Sequence, residues 1–127
     1  LMADYLKKKI NKIDYLHSSS SVRTFETSKY FINQIQFGEI QYDDSLYHCS
    51  ATSILNMIRS YSDNYQSVMI IAHNPGLTNL INNITNVSLD NLPTTGLAEI
   101  EFNINSWSNI SYEKSNLVDL KFPKQLK

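Results

Sequence analysis

Ser67-Val68-Met69-Ile70-Ile71-Ala72-His73-Asn74-Pro75-Gly76-Leu77 is the stretch that decides the fold. Residues 67–72 form a short, continuous apolar run, the pattern of a strand buried on both faces. Asn74 is a favourable helix N-cap, and Pro75 fits the first helical position, where a missing N–H costs nothing. Leu77, Leu80, Ile81 and Ile84 then recur at helical spacing. A buried strand that passes straight into an amphipathic helix is the building unit of a wound α/β domain.

The flanking sequence repeats that unit. Upstream, residues 13–17 alternate as a short strand, and the serines at 18–21 suit the start of a helix over 22–34 that turns Val22, Phe25, Tyr30 and Phe31 inward. Residues 35–39 and 40–44 read as a turn and a short extended piece. Residues 51–61 read as a helix with Ile54, Leu55 and Ile58 on one side. Downstream, residues 92–96 form a turn into a strand over 97–104, where Ala98, Ile100, Phe102 and Ile104 alternate with polar partners as near a sheet edge, and residues 117–122 suit a last strand. Residues 1–127 are therefore expected to form one α/β domain with a largely parallel sheet. Met2, Leu6 and Ile10 hold i, i+4 spacing from the first residues, so the chain is expected to begin inside a helix and to lack the first part of its domain.

Composition narrows the partners. The chain has 127 residues, 42% hydrophobic and 18% charged, as in an ordinary globular protein. A formal net charge of −1 argues against broad electrostatic binding to nucleic acid or an anionic membrane, so an anion must be held by local geometry. The longest basic run, Lys7-Lys8-Lys9, reads as a solvated helix face. One cysteine, Cys49, permits no internal disulfide, and no apolar stretch has the length of a membrane span, which together point to a cytoplasmic protein. The three histidines lack metal-ligand spacing, and neither a metal nor a cofactor is expected.

Two strand-to-helix junctions carry chemistry. One places Arg23 at the helix that follows residues 13–17. The other places His73 at the end of residues 67–72. Ligands of open α/β sheets bind beyond the carboxyl ends of the strands, where both junctions fall. Helix amino ends favour anions, a guanidinium forks onto phosphate oxygens, and an imidazole can donate to the same oxygens. Taken singly, Arg23 is a surface arginine, His73 a structural histidine and the serine run a cap. Their joint placement describes a phosphate pocket.

The residues at these junctions resemble a known family. Ser19-Ser20-Ser21-Val22-Arg23-Thr24-Phe25-Glu26-Thr27 is similar to the S-[SP]-x-x-R-x-x-x-T segment of the histidine phosphatase superfamily, and Ala72-His73-Asn74-Pro75-Gly76-Leu77 resembles its second histidine motif in the G-H-N-P-G-L form of SixA-type phosphohistidine phosphatases. Leu46-Tyr47, Leu92-Pro93-Thr94-Thr95-Gly96 and residues 102–107 extend the likeness over nearly the whole chain. It implies a phosphoglycerate-mutase-like three-layer α/β/α sandwich. It also implies hydrolysis of phosphohistidine on a protein through a phosphohistidine enzyme intermediate. Arg23 would be the second of two phosphate-holding arginines, His73 the second histidine, and Ser20 a further phosphate-binding residue.

The departures are as informative. The family's nucleophile lies in an R-H-G or R-H-A motif on the first strand, and neither string occurs here, since His17 follows Leu16 and His48 follows Tyr47. The first strand, the nucleophile and the first arginine are thus expected to be missing. Asp43 and Asp44 stand near where larger members carry a general acid, although acidic residues there also suit a helix amino end. Two rival functions remain open: a catalytically inactive phosphoprotein-binding module, and a small-molecule phosphomonoesterase on the same fold. The absence of a large insertion favours an open pocket for a protein substrate, and a monomer or weak associate is expected.

Overall fold

The computed structural model describes residues 1–126. Strand β1 (Lys12–Ser19) follows helix α1 (Met2–Lys7) and leads to helix α2 (Val22–Ile32), strand β2 (Gln36–Asp43), helix α3 (Ala51–Arg59), strand β3 (Val68–Ile71), helix α4 (Gly76–Ile84) and strands β4 (Leu97–Phe102) and β5 (Ser115–Lys121). Strands β2, β1 and β3 form a parallel sheet in that order, and β4 and β5 form a separate antiparallel pair. The expected largely parallel central sheet therefore stands in two pieces. Residues 35–44, read as a turn plus an extended piece, give one continuous edge strand, because Phe37 to Asp43 keep register with Ile13 to Ser19.

Three layers result. On one face of the strands α1 and α2 bring Met2, Leu6 and Phe31 against Ile13, with Met69, Ile71 and Leu97 packed against the same cluster. On the other face α3 and α4 bring Ile54, Ile58, Leu80 and Ile84 together, with Ile70, Ala72, Ile100 and Phe102 beside them. The alternation along β3 is the ordinary one for a strand, odd residues to one layer and even residues to the other.

Helix α2 turns a different face inward from the one its apolar residues suggest. Phe31 is buried as expected, but Val22 is 75% exposed, Tyr30 69% and Phe25 40%. Thr24 and Ser28 take the inward positions because their hydroxyls find acceptors: Thr24 Oγ1 donates to the Ser19 carbonyl at 2.7 Å and Ser28 Oγ to that of Phe25 at 2.6 Å. Satisfied small hydroxyls let the helix sit close to β1. The basic run also departs from a purely solvated face. Lys7 and Lys8 are exposed, whereas Lys9 pairs with Glu99 at 2.7 Å and Asp119 at 2.9 Å, tying α1 to β4 and β5.

Candidate functional site

The site is built at the carboxyl ends of β1 and β3. Ser19 ends β1, and Ser21 caps α2, its hydroxyl accepting from the Thr24 N–H. This sets Arg23 in the first turn of α2, a turn with no acidic residue. Register between β1 and β3 pairs Ser18 with Ile71, so His73 emerges two residues later beside Ser19. His73 Nε2 lies 2.9 Å from Ser19 Oγ. Ser19 Oγ also accepts from the Ser21 N–H at 3.3 Å, which leaves its own proton for the imidazole. Ser19 thus fixes the ring, a role the sequence did not single out within a run of four serines.

Helix α4 opens one residue later than expected, with Pro75 at the N-cap position. Asn74 still performs a capping function: its Oδ1 accepts from the N–H and hydroxyl of Thr78, and its Nδ2 donates to the Leu92 carbonyl at 2.7 Å. That last bond brings residues 92–96 to the site. Thr95 there holds φ at 58°, an uncommon region for a β-branched residue. Gly76 supplies the other wall. A Cβ on it would lie 2.3 Å from the Cys49 carbonyl oxygen, so only glycine lets residues 47–49 rest on the start of α4. The Tyr47 ring consequently stands 5.1 Å from that of His73 and 4.5 Å from that of His48.

Arg23, Thr24, His73, Asn74, Thr94 and Thr95 all face one open cleft. Burial, with His48 and Arg23 nearby, holds the His73 imidazole pKa below the usual histidine value. The surroundings thus favour the uncharged form of the ring. Cys49 is not a nucleophile candidate here, since burial pushes its thiol pKa up.

The remaining sequence candidates, Ser20, Asp43 and Asp44, are not among the residues that line this cleft. Ser20 is exposed, and its hydroxyl donates to the Asp44 carboxylate. Asp43 accepts from both the N–H and the hydroxyl of Ser45 and lies 2.8 Å from His17 Nε2. The Ser45 bonds, aided by His17, hold the Asp43 pKa below the usual carboxylate range, the wrong direction for a proton donor. Its work is structural: His17 is 3% exposed, with Nδ1 2.6 Å from the Tyr61 hydroxyl. Asp43→Ala should cost about 1–3 kcal/mol by leaving a buried ring nitrogen unpaired. Asp44→Ala, at an exposed pair, should stay within about 0.5 kcal/mol. Urea unfolding of the two variants measures the contrast.

No family model and no curated protein matches the sequence. Solved structures do. The chain superposes on a SixA protein from Agrobacterium tumefaciens with a TM-score of 0.78 and 22% identity, over 96% of this chain and 75% of that one. A SixA protein from Nakamurella multipartitia gives 0.80 and 15%, over 95% and 77%. The fold is that of SixA. The protein histidine phosphatase SixA complexed with tungstate agrees, at a TM-score of 0.75 and 17% identity over 99% of this chain and 79% of that one. No helix among the described residues is long and apolar enough to cross a membrane.

Proposed function

We propose that this chain is the phosphate-holding part of a SixA-type phosphohistidine phosphatase, acting on a phosphorylated histidine of a cytoplasmic protein. The observation that carries the reading is that Arg23 and His73, on different strand-to-helix junctions, line one cleft at the carboxyl ends of parallel strands. A phosphoryl group entering there would meet the Arg23 fork, the N–H groups at the start of α2 and the His73 ring held by Ser19. These donors are preorganised for the charge that builds on the equatorial oxygens during transfer. A phosphorylated imidazole leaves readily, which suits a site whose nearby carboxylate, Asp43, is held ionised.

The attacking histidine of such a reaction would be none of the three in this sequence. His17 is buried between Asp43 and Tyr61, His73 belongs to the oxygen-holding set, and no arginine precedes His48. A second reading is a phosphoprotein-binding module that holds phosphohistidine without turning it over; an Arg-His pair upstream of Leu1 would favour the enzyme, and another sequence there the module.

Both readings require oxyanion binding linked to His73, and sulfate tests it because it stays dianionic across the range. An anion beside the ring raises its lowered pKa, so binding takes up a proton. Affinity should therefore climb as pH falls through the ordinary histidine pKa of about 6.5, levelling off once the free ring is itself protonated. Calorimetric titration with sulfate from alkaline to mildly acid pH measures the trend, and His73→Ala should flatten it. A wild-type affinity that ignores pH would overturn the placement of His73 at the anion.

A further inference from the structure

In the adjacent pair Leu46-Tyr47 one side chain serves the core and the other does not. Leu46 is fully buried in the cluster with Ile54 and Leu80, whereas Tyr47 is 46% exposed. The backbone of Tyr47 is nonetheless held on both sides. Asp43 caps the short turn Asp44–Leu46 by accepting from the Ser45 N–H at 2.9 Å, and the Tyr47 N–H donates to the Asp44 carbonyl at 3.0 Å. Two residues on, the Cys49 carbonyl rests on Gly76, where no side chain would fit between them. A large exposed ring on a fixed backbone suits recognition, because little freedom is left to lose when a ligand covers it.

The place of that ring indicates what it would recognise. It stands 5.1 Å from the His73 ring, tilted by 40°, and 4.5 Å from the His48 ring, at 71°. Aromatic pairs favour centroid spacings of about 4.5–7 Å, so Tyr47 already packs on two imidazoles in an ordinary geometry while remaining open to solvent. With His73 on a phosphoryl oxygen, a substituent on that phosphorus comes within reach of the ring beside it.

We propose that Tyr47 sets the specificity of this site, its ring being the platform for an imidazole bonded directly to the phosphoryl group. This rests on the oxyanion-site reading above and adds the residue that chooses among phosphorylated side chains. On a phosphorylated histidine, the flat ring begins at the atom bonded to phosphorus. On a phosphorylated serine or threonine, an oxygen and a non-planar chain stand there and offer no aromatic face. Tyrosine has a flat ring, but one oxygen further from phosphorus. The exposed apolar residues on the helix that carries Arg23 are less suited. Phe25 is engaged by Tyr42 at 4.9 Å and by the Lys29 ammonium at 4.7 Å, and Val22 has no ring. A tyrosine that only filled space would be buried, as Leu46 is.

The test measures binding to the 127-residue chain by calorimetry at mildly alkaline pH, where N-phosphoimidazole persists and, like methyl phosphate, is a dianion. The wild-type chain should bind N-phosphoimidazole roughly 3- to 10-fold more tightly than methyl phosphate, the range expected of one aromatic pair. Tyr47→Leu should bring that ratio close to one. Tyr47→Phe should keep it, because the ring and not the hydroxyl makes the contact. Phenyl phosphate, with its ring one atom further out, should gain less from Tyr47 than N-phosphoimidazole does. A ratio unchanged in Tyr47→Leu would overturn the proposal. So would a fall of both affinities together, which would make Tyr47 a brace for His73, or a larger Tyr47-dependent gain for phenyl phosphate. Sulfate separates the two levels of the argument. A wild-type chain that binds sulfate without any preference for the imidazole sinks the platform alone, and one that binds no oxyanion sinks the site along with it.

Discussion

Arg23→Ala is expected to weaken tungstate binding by roughly 10- to 100-fold while leaving the fold intact and slightly more stable. The first half follows from charge-assisted hydrogen bonds, worth about 1.5–3 kcal/mol each, with a factor of ten for every 1.4 kcal/mol. The second half follows from position. Arg23 occupies the first turn of α2, where the helix dipole is positive and a cation is disfavoured by about 0.3–1 kcal/mol. A residue chosen for stability there would be acidic, and the turn contains none. Arg23→Lys should recover little affinity, because an ammonium offers no planar fork. Isothermal titration with tungstate and thermal unfolding, run on the same samples, check both halves. A loss of affinity accompanied by a loss of stability would reduce Arg23 to a structural residue.

The opposed signs matter because they separate function from packing at a site where both are plausible. His73 cannot be separated so cleanly, since its ring is also part of the packing through Ser19 and Tyr47. Its diagnostic is the pH dependence of anion binding, which a purely structural ring would not confer.

The sequence was legible wherever a single face decided the outcome. Residues 67–77 gave a buried-type strand, a turn and a helix because continuous apolar character, an Asn-Pro turn and a 3.6-residue stripe each point one way, and β3 and α4 follow with a shift of one residue at the cap. Arg23 and His73 drew attention for a similar reason: each stands just past the end of a parallel strand, and both line one cleft. The face of α2 was not legible. Hydropathy ranks Val22 and Tyr30 above Thr24 and Ser28, and only the three-dimensional position of the Ser19 and Phe25 carbonyls makes the hydroxyls the better inward choice. Ser19 was hidden for a different reason. In a run of identical residues, selection of one hydroxyl for His73 depends on where β1 stops, and strand ends are the least certain feature of a pattern. The division of the sheet was also beyond local pattern, because each strand reads the same whether or not its neighbour is in place.

The 127-residue chain should form no phosphoenzyme and give no turnover with a phosphohistidine protein, whereas supplying an Arg-His pair at the end of an added strand should restore both. The reasoning is geometric. Transfer requires an attacking atom in line with the leaving nitrogen and about 3–3.5 Å from phosphorus while the oxygens are held from the sides. Arg23 and the ring held by Ser19 can hold oxygens, but His17 is sealed 3% exposed beneath the site with both ring nitrogens engaged, and cannot reach the cleft. In the form carrying that Arg-His pair, His73→Ala should lower kcat by roughly 100- to 1,000-fold, the usual cost of removing one preorganised donor to a developing oxyanion. Rapid-quench assays with a phosphorylated-histidine donor measure both the phosphoenzyme and the rate. Turnover by the 127-residue chain alone would place the nucleophile among its existing side chains and overturn this account. A form carrying the pair that binds the phosphoprotein tightly yet never becomes phosphorylated would instead assign the cleft to recognition without catalysis.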